Sequence, residues 1–282
     1  MTNIKFILLV FFAFISLSAQ DNSDLKSIGR FNEAISICIN SMGNIYVLSS
    51  NQNSLVKLNP SGEIIESTGG YGWQASTFDN PTEVRSKNLT LYVADKNNHR
   101  IELFDRNLNY IGVIKSDDSD DITFSFPISV DINSQGDIFI LDSENSRILK
   151  YDASGNISAV IGDYDAGDFI LQSPADLSVT DNGLLLVLCQ ESLYVFDIFG
   201  NGISKINFSF KPLRIFSRQN KIFLSNENEV WLLDAFKIIE VPLKVYSLKN
   251  EDETISDISF FENILYVLTG KTIIPVNINN GN

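Results

Sequence analysis

The chain has 282 residues, a formal net charge of −14 at pH 7 and a sequence pI near 4.4. This length is ordinary for a single domain built from repeats. The acidity argues against a nucleic-acid partner, because phosphate binding requires clustered lysine and arginine side chains. It also disfavours docking on anionic lipid, and it fits an exported protein.

The N-terminal segment, residues 1–19, has the layout of a signal peptide. Lys5 precedes an apolar run from Phe6 to Leu17, and small residues follow this run. The run is too short to span comfortably a bilayer core of roughly 30 Å. We therefore expect removal of this leader, and a mature chain of residues 20–282 that is secreted or periplasmic and has no membrane span.

Residues 127–162 are predicted to form four short antiparallel strands, because β-branched and aromatic segments alternate there with polar turns. One four-stranded sheet has two apolar faces that it cannot bury alone, and stacked copies of the unit would bury both. Six copies are present, with a period of about 37 to 47 residues. The residues that end the third strand of each copy are Asn59, Asp105, Asp152, Asp197, Asp234 and Asn277.

A period in this range is typical of propeller blades. We predict an all-β fold, a six-bladed β-propeller of four-stranded antiparallel blades that forms a single domain. The last copy ends after its third strand, so we expect the N-terminal strand, residues 24–31, to complete the C-terminal blade and remove an exposed edge. The predicted blades are approximately 33–70, 81–116, 127–162, 174–208, 212–248, and 253–282 with 24–31.

The second and third copies resemble the NHL repeat, which has proline before strand one, aspartate ending strand two and an Asn-His-Arg-Ile-like start to strand three. The resemblance implies the propeller fold, and it leaves the activity open because one fold hosts many functions. The matching residues are Pro81, Asp95, Asn98, His99, Arg100 and Ile101 in the second copy, and Pro127, Asp142, Asn145, Arg147 and Ile148 in the third.

Two acid–base pairs recur at identical spacing in these copies, Asp95 with Arg100 and Asp142 with Arg147. We interpret them as charge-assisted hydrogen bonds that hold strands two and three together, which is a structural role. His99 is the only histidine of the chain and lies in the same motif, so we also expect it to be structural. A Ser-His-Asp triad and a zinc site therefore have little support.

The two cysteines, Cys38 and Cys189, fall in strands of distant copies. Export would permit a disulfide, but this separation favours two buried free thiols.

The first strand of each blade should line the central channel, and one residue from each copy aligns at one level near the strand start. Three carboxylates of this ring, Glu83, Asp176 and Asp257, suit a divalent cation such as Ca²⁺. The ring equally suits a small polar ligand, or it is simply a hydrated channel lining. Gluconolactonase-like propellers hold an axial metal partly through asparagine, which this ring lacks. The six residues are Ser36, Glu83, Ser129, Asp176, Arg214 and Asp257.

The connections between blades are expected to lie together on one face of the propeller. The first carries Tyr71 and Trp73, and the third carries Asp163 and Tyr164. Aromatic residues on loops often anchor protein or sugar partners. The alternative is that the first loop's rings fold down onto the blade ends. The second connection, 116–121, is predicted to be a solvated acidic loop.

The sequence contains few candidate catalytic residues, whereas the repeat pattern of a propeller scaffold is clear. The sequence therefore favours an exported, non-catalytic and monomeric module without a cofactor, which presents its loop face to a protein, peptide or glycan. The alternative is a hydrolase or lyase in which a divalent metal, held by Glu83, Asp176 and Asp257, polarises a carbonyl oxygen.

Overall fold

The computed structural model describes residues 26–116, 122–238 and 240–278. Within these residues the strands form six antiparallel sheets, which confirms the predicted all-β, six-bladed propeller. The predicted signal peptide and most of the acidic loop 116–121 lie outside the described residues. No helix in the described part of the chain is long and apolar enough to cross a membrane.

The strands follow one another in space within each blade, in the order of the sequence. Blade 1 contains β1 (Ala34–Ile39), β2 (Ile45–Ser49), β3 (Ser54–Leu58) and β4 (Ile64–Gly69). Blade 2 contains β5 (Pro81–Lys87), β6 (Thr90–Asp95), β7 (Arg100–Asp105) and β8 (Tyr110–Lys115). Blade 3 contains β9 (Pro127–Ile132), β10 (Ile138–Asp142), β11 (Arg147–Tyr151) and β12 (Ile157–Ile161). Blade 4 contains β13 (Pro174–Val179), β14 (Leu185–Cys189), β15 (Ser192–Phe196) and β16 (Gly202–Asn207). Blade 5 contains β17 (Arg214–Arg218), β18 (Lys221–Ser225), β19 (Glu229–Asp234) and β20 (Leu243–Ser247). Blade 6 contains β21 (Ile255–Phe261), β22 (Ile264–Thr269) and β23 (Ile273–Asn277).

Within a blade the outermost strand is the least buried, and the second strand is buried along most of its length. All five residues of β2 and of β14 are buried, whereas β4 and β16 are largely exposed. The second strands are mainly apolar because neighbouring blades cover both of their faces, so that side chains on either face are removed from water.

Six apolar clusters fill the spaces between successive blades, including the space between blade 6 and blade 1. Between blades 1 and 2, for example, Leu48 packs with Val84 and Phe104. Each blade therefore buries both faces against its neighbours, which is the condition that makes a ring of otherwise unstable sheets stable.

The ring closes through the N-terminal segment, as predicted, although the described residues of this segment form one antiparallel bridge with blade 6 and not a full fourth strand. Ile28 and Ile273 exchange two backbone hydrogen bonds of 2.8 and 3.0 Å, and the Phe31 N–H donates to the Lys271 carbonyl at 2.8 Å. Pro275 has the same strand orientation as Ile273, so its missing N–H would have faced this edge. The pairing cannot continue there.

Cys38 and Cys189 are free and buried, in blades 1 and 4. Burial raises the pKa of the Cys189 thiol to about 11 and that of the Cys38 thiol well above its usual range. Both are therefore protonated core residues at neutral pH, and the prediction of two buried free thiols is confirmed.

Candidate functional site

The structure places the six predicted ring residues at the start of the innermost strands, where they link neighbouring blades. In every blade the ring side chain bonds to the backbone of the next blade. The contacts are Ser36 Oγ with the Val84 N–H (3.1 Å), Glu83 Oε2 with the Val130 N–H (2.7 Å), Ser129 Oγ with the Leu177 N–H (3.2 Å), Asp176 Oδ2 with the Ile215 N–H (2.9 Å), Asp257 Oδ2 with the Ile37 N–H (2.9 Å) and, with the donor reversed, Arg214 Nε with the Ser256 carbonyl (2.9 Å).

Two serines of this ring also donate to carboxylates of the adjacent blade. Ser36 Oγ donates to Asp257 at 2.7 Å, and Ser129 Oγ donates to Asp176 at 2.8 Å. Apart from the half-buried Arg214, the ring residues are at most 2% exposed. Buried charged groups need such partners to be tolerated, so this ring acts first as a structural element between blades.

Arg85, which the sequence alignment did not single out, lies between the three ring carboxylates. Its Nη2 is 2.7 Å from Glu83 Oε1 and 3.7 Å from Asp176 Oδ1, and its Nη1 is 4.0 Å from Asp257 Oδ2. Nη2 also donates to the Ile215 carbonyl at 3.1 Å. The side chain therefore crosses the channel from blade 2 to blade 5.

This arrangement bears on the expected metal site. The guanidinium supplies the positive charge that a divalent ion would supply, and the carboxylates also accept backbone N–H groups. In the described residues, no group of three or more His, Cys, Asp or Glu side chains is placed to hold a metal. Burial raises the pKa of Glu83 well above its usual range, although Arg85 partly lowers it. The donor set therefore does not fit a metal ion well, and metal analysis of the purified protein tests this point.

The sequence contained a usable signal for Arg85. It lies two residues after Glu83 in β5, so its side chain returns to the same side of the strand. Moving the alignment of the six copies by two positions would have brought Arg85 level with Asp131 and Phe216.

The first connection between blades, residues 70–80, is held to the propeller by Arg100. Its Nη1 donates to the Trp73 carbonyl at 2.8 Å, and its Nη2 donates to the carbonyls of Gln74 (2.9 Å) and Thr77 (2.7 Å). Nε forms the predicted ion pair with Asp95 at 2.8 Å. Arg100 thus ties strands two and three together and also fixes the loop.

Two further side chains hold the same loop. Asn98 donates to the Gly72 carbonyl at 2.8 Å, and Glu102 Oε2 accepts the Ser76 N–H at 3.2 Å. Burial raises the pKa of Glu102 to about 7, against the lowering effect of Arg100. The loop backbone is consequently fixed along most of its length.

Two aromatic rings of this loop, those of Tyr71 and Trp73, point into solvent and do not cover the blade ends, whereas the ring of Phe78 is buried between blades 1 and 2. Tyr71 is 72% exposed and Trp73 is 75% exposed. Two exposed rings on a fixed backbone form a preorganised binding surface, because the loop loses little conformational entropy when a partner binds.

The connection between blades 3 and 4 is built in a related way. Arg147 pairs with Asp142 at 3.2 Å, as predicted, and with Asp163 at 3.0 Å, and it donates to the Thr123 carbonyl at 3.0 Å. Tyr164 is 83% exposed. Asp163 is therefore engaged in an ion pair within the chain, whereas the ring of Tyr164 is free for contact.

His99 lies in the turn between β6 and β7, in the left-handed conformation with φ 52°. Its Nδ1 accepts the N–H of Phe126 at 3.1 Å, and the two rings meet edge to face at 4.3 Å between centroids. The only histidine of the chain thus joins blade 2 to the connection that precedes blade 3.

Comparisons with known proteins agree with this architecture. A family model described as NHL repeat matches residues 124–151, which include most of blade 3. No curated protein shows significant sequence similarity to the chain.

Two solved structures with similar folds are lyases. A catalytically inactive histidine-to-alanine variant of virginiamycin B lyase from Staphylococcus aureus with quinupristin has a TM-score of 0.64 and 10% identity, covering 88% of this chain and 97% of that one. A streptogramin B lyase has a TM-score of 0.62 and 13% identity, covering 91% of this chain and 87% of that one. At these identities the likeness shows the fold alone: the chain is a six-bladed propeller that carries an NHL repeat in its third blade.

Proposed function

We propose that this protein is an exported, non-catalytic binding module that presents its loop face to a protein, peptide or glycan. The observation that carries the proposal is the fixed loop 70–80 with the exposed rings of Tyr71 and Trp73. Exposed tryptophan and tyrosine side chains on a rigid support are typical of binding hot spots.

The channel supports the same proposal, because its side chains already form contacts within the protein. The ring side chains are committed to contacts between blades, and Arg85 fills the space between the carboxylates. His99 is engaged with Phe126 on its Nδ1 side. The loop face therefore presents more side chains that are free to contact a partner than the ring does.

The experiment compares capture of partners by the immobilised mature chain with capture by a Tyr71→Ala/Trp73→Ala double variant. The matched control is Phe199→Ala, which removes a ring that is 73% exposed on a turn at the opposite face. Native extract and a glycan array serve as sources, and a captured partner is then titrated in pure form.

We expect the double variant to bind at least about 30-fold more weakly, since loss of one hot spot costs about 2 kcal/mol or more. The control should bind like the wild type. Equal binding by all three proteins, or no specific binding from either source, would argue against the proposal.

The second candidate is a metal-dependent hydrolase or lyase, and the fold likeness to two lyases favours it. Its test is metal analysis of the mature protein, thermal melts in EDTA and in Ca²⁺, and assays on lactones, esters and quinupristin. A bound stoichiometric metal and an activity lost in Asp176→Ala would establish it. A metal-free, inactive protein whose melting temperature does not change on addition of Ca²⁺ would eliminate this candidate function.

A further inference from the structure

A cavity of about 220 Å³ lies at the end of the channel beyond Arg85, on the face opposite the inter-blade loops. Arg85, Asp131 and Phe216 line its inner end, and Lys87 and Arg218 lie nearer the mouth. Three cationic side chains therefore converge on one small space in a protein whose net charge is −14.

Several hydrogen-bond donors in this cavity have no partner among the described residues. Arg85 is 2% exposed, yet its Nε and Nη1 form no hydrogen bond, and the buried Oγ of Ser86 forms none either. Lys87 has no ion pair with any described residue. Buried donors without acceptors cost free energy, so a bound acceptor would recover it.

The cavity wall also contains two carboxylates, Asp131 and Asp181, which accept hydrogen bonds from the chain. Asp131 Oδ2 accepts the Val179 N–H at 2.8 Å and the Ser178 hydroxyl at 3.2 Å. Asp181 Oδ2 accepts the Gln219 N–H at 2.8 Å. The three cationic side chains outnumber these two carboxylates in the cavity wall, which favours an anion with several oxygen acceptors over a cation.

The ring carboxylates do not supply acceptors for Nε and Nη1 of Arg85. The two shorter contacts, to Glu83 and Asp176, are made by Nη2 of Arg85. Asp257 lies 4.0 Å from Nη1, which is beyond hydrogen-bond distance. Nε and Nη1 of Arg85 therefore have no hydrogen-bond acceptor among the described residues.

Arg218 is held in position at the mouth by its Nη1, which donates to the carbonyls of Ile39 at 3.1 Å and Phe260 at 3.3 Å. Its position is therefore fixed before any ligand arrives. Preorganised cationic donors in a partly enclosed site bind oxyanions better than flexible surface lysines do.

We propose that this cavity, lined by Arg85, Ser86, Lys87 and Arg218, is a binding site for a small oxyanion, either a carboxylate or a phosphate. It lies at the opposite end of the channel from the loop face, so it is independent of the partner-binding function proposed above.

The test is calorimetric titration of the mature protein with inorganic phosphate, acetate and succinate, at an ionic strength held constant with NaCl. The deciding variant is Lys87→Gln, because this side chain makes no described ion pair whose loss would disturb the fold. Arg218→Gln is the second variant. Lys271→Gln is the matched control, since it removes the same charge at the loop face.

We expect saturable binding of phosphate or of a carboxylate, at least about tenfold weaker in Lys87→Gln and Arg218→Gln and unchanged in Lys271→Gln. Saturation with phosphate alone or with carboxylates alone identifies the class of ligand. No saturable heat with any probe, or equal binding by Lys87→Gln and wild type, would overturn the proposal. A general salting-out effect would be unsaturable and equal in all variants.

Discussion

At the scale of single residues, the most informative side chain is Arg85. It is a buried cation placed among Glu83, Asp176 and Asp257, and three strands depend on it for charge compensation. A buried ion pair adds little net stability over an apolar replacement of the whole group. Removal of one partner alone is costly, however, because the others stay buried and unpaired.

We therefore predict that Arg85→Met lowers the free energy of unfolding at pH 7 by about 3 to 5 kcal/mol. The loss should shrink as the pH falls towards 5. The pKa of Glu83 is already raised by burial, and removal of the cation raises it further. A carboxyl group whose pKa is raised by folding favours the folded state at low pH and disfavours it as the pH rises through that pKa.

Urea unfolding at several pH values measures this effect, with Arg30→Met as the control, since Arg30 is exposed. A variant as stable as the wild type at pH 7, or one that loses stability on acidification, would contradict the role given to Arg85.

At the scale of elements, the arginine of the repeated acid–base pair positions two loops. In blade 2, Arg100 binds three carbonyls of the loop 70–80, and in blade 3 the equivalent Arg147 binds Asp163 and one carbonyl. The acid–base pair of the repeat thus has a second task that the spacing of the motif alone does not reveal. It sets the position of the aromatic residues on the loop face.

Arg100→Gln should loosen the loop 70–80 without altering its exposed rings. We expect faster hydrogen exchange at the amides of Ser76, Thr77 and Phe78, which are hydrogen-bonded in the native loop. Arg147→Gln serves as the matched control, because it should affect the loop around Asp163 and leave these three amides unchanged. Unaltered exchange in Arg100→Gln would mean that Asn98 and Glu102 hold the loop by themselves.

At the scale of the whole molecule, closure of the ring rests on a short contact. From residue 26 onward, where the structure describes it, the N-terminal segment makes a single bridge to β23, and the turn between β3 and β4 packs against it. A Cβ atom at Gly62 would lie 2.5 Å from the backbone nitrogen of Gly29 and 2.8 Å from the side chain of Ile28. Blade 1 therefore supports the segment that closes blade 6.

Gly62→Ala should destabilise the protein by about 1 to 3 kcal/mol more than Gly155→Ala does, since overpacking at a close contact costs this much. Gly155 occupies the equivalent turn of blade 3 and has the same φ of 86°, and a Cβ atom there would meet no other atom within 4 Å. The backbone strain is thus matched, and only the contact with Ile28 and Gly29 differs. Urea midpoints compare the two, and equal losses would show that this contact adds nothing to closure.

Much of this molecule was determined by its sequence alone. The repeat period and the alternation of apolar strands with polar turns predicted six blades. The likeness of the N-terminal segment to a fourth strand predicted its contact with the last blade. These features are local or periodic, so they can be recognised in the amino-acid sequence without a three-dimensional structure. The same alignment identified the ring residues, because equivalent positions in a repeat meet at the axis.

Only the tertiary structure decided what those positions do. The ring was expected to line the channel, either as a hydrated surface or as a metal or ligand site, and its side chains bond instead to the next blade. Arg85 was overlooked because its partners come from blades 2, 4 and 6, which are far apart in the chain. Hydrogen bonding and charge compensation depend on distances of a few ångströms between remote segments, and the spacing of residues along one strand does not determine such distances.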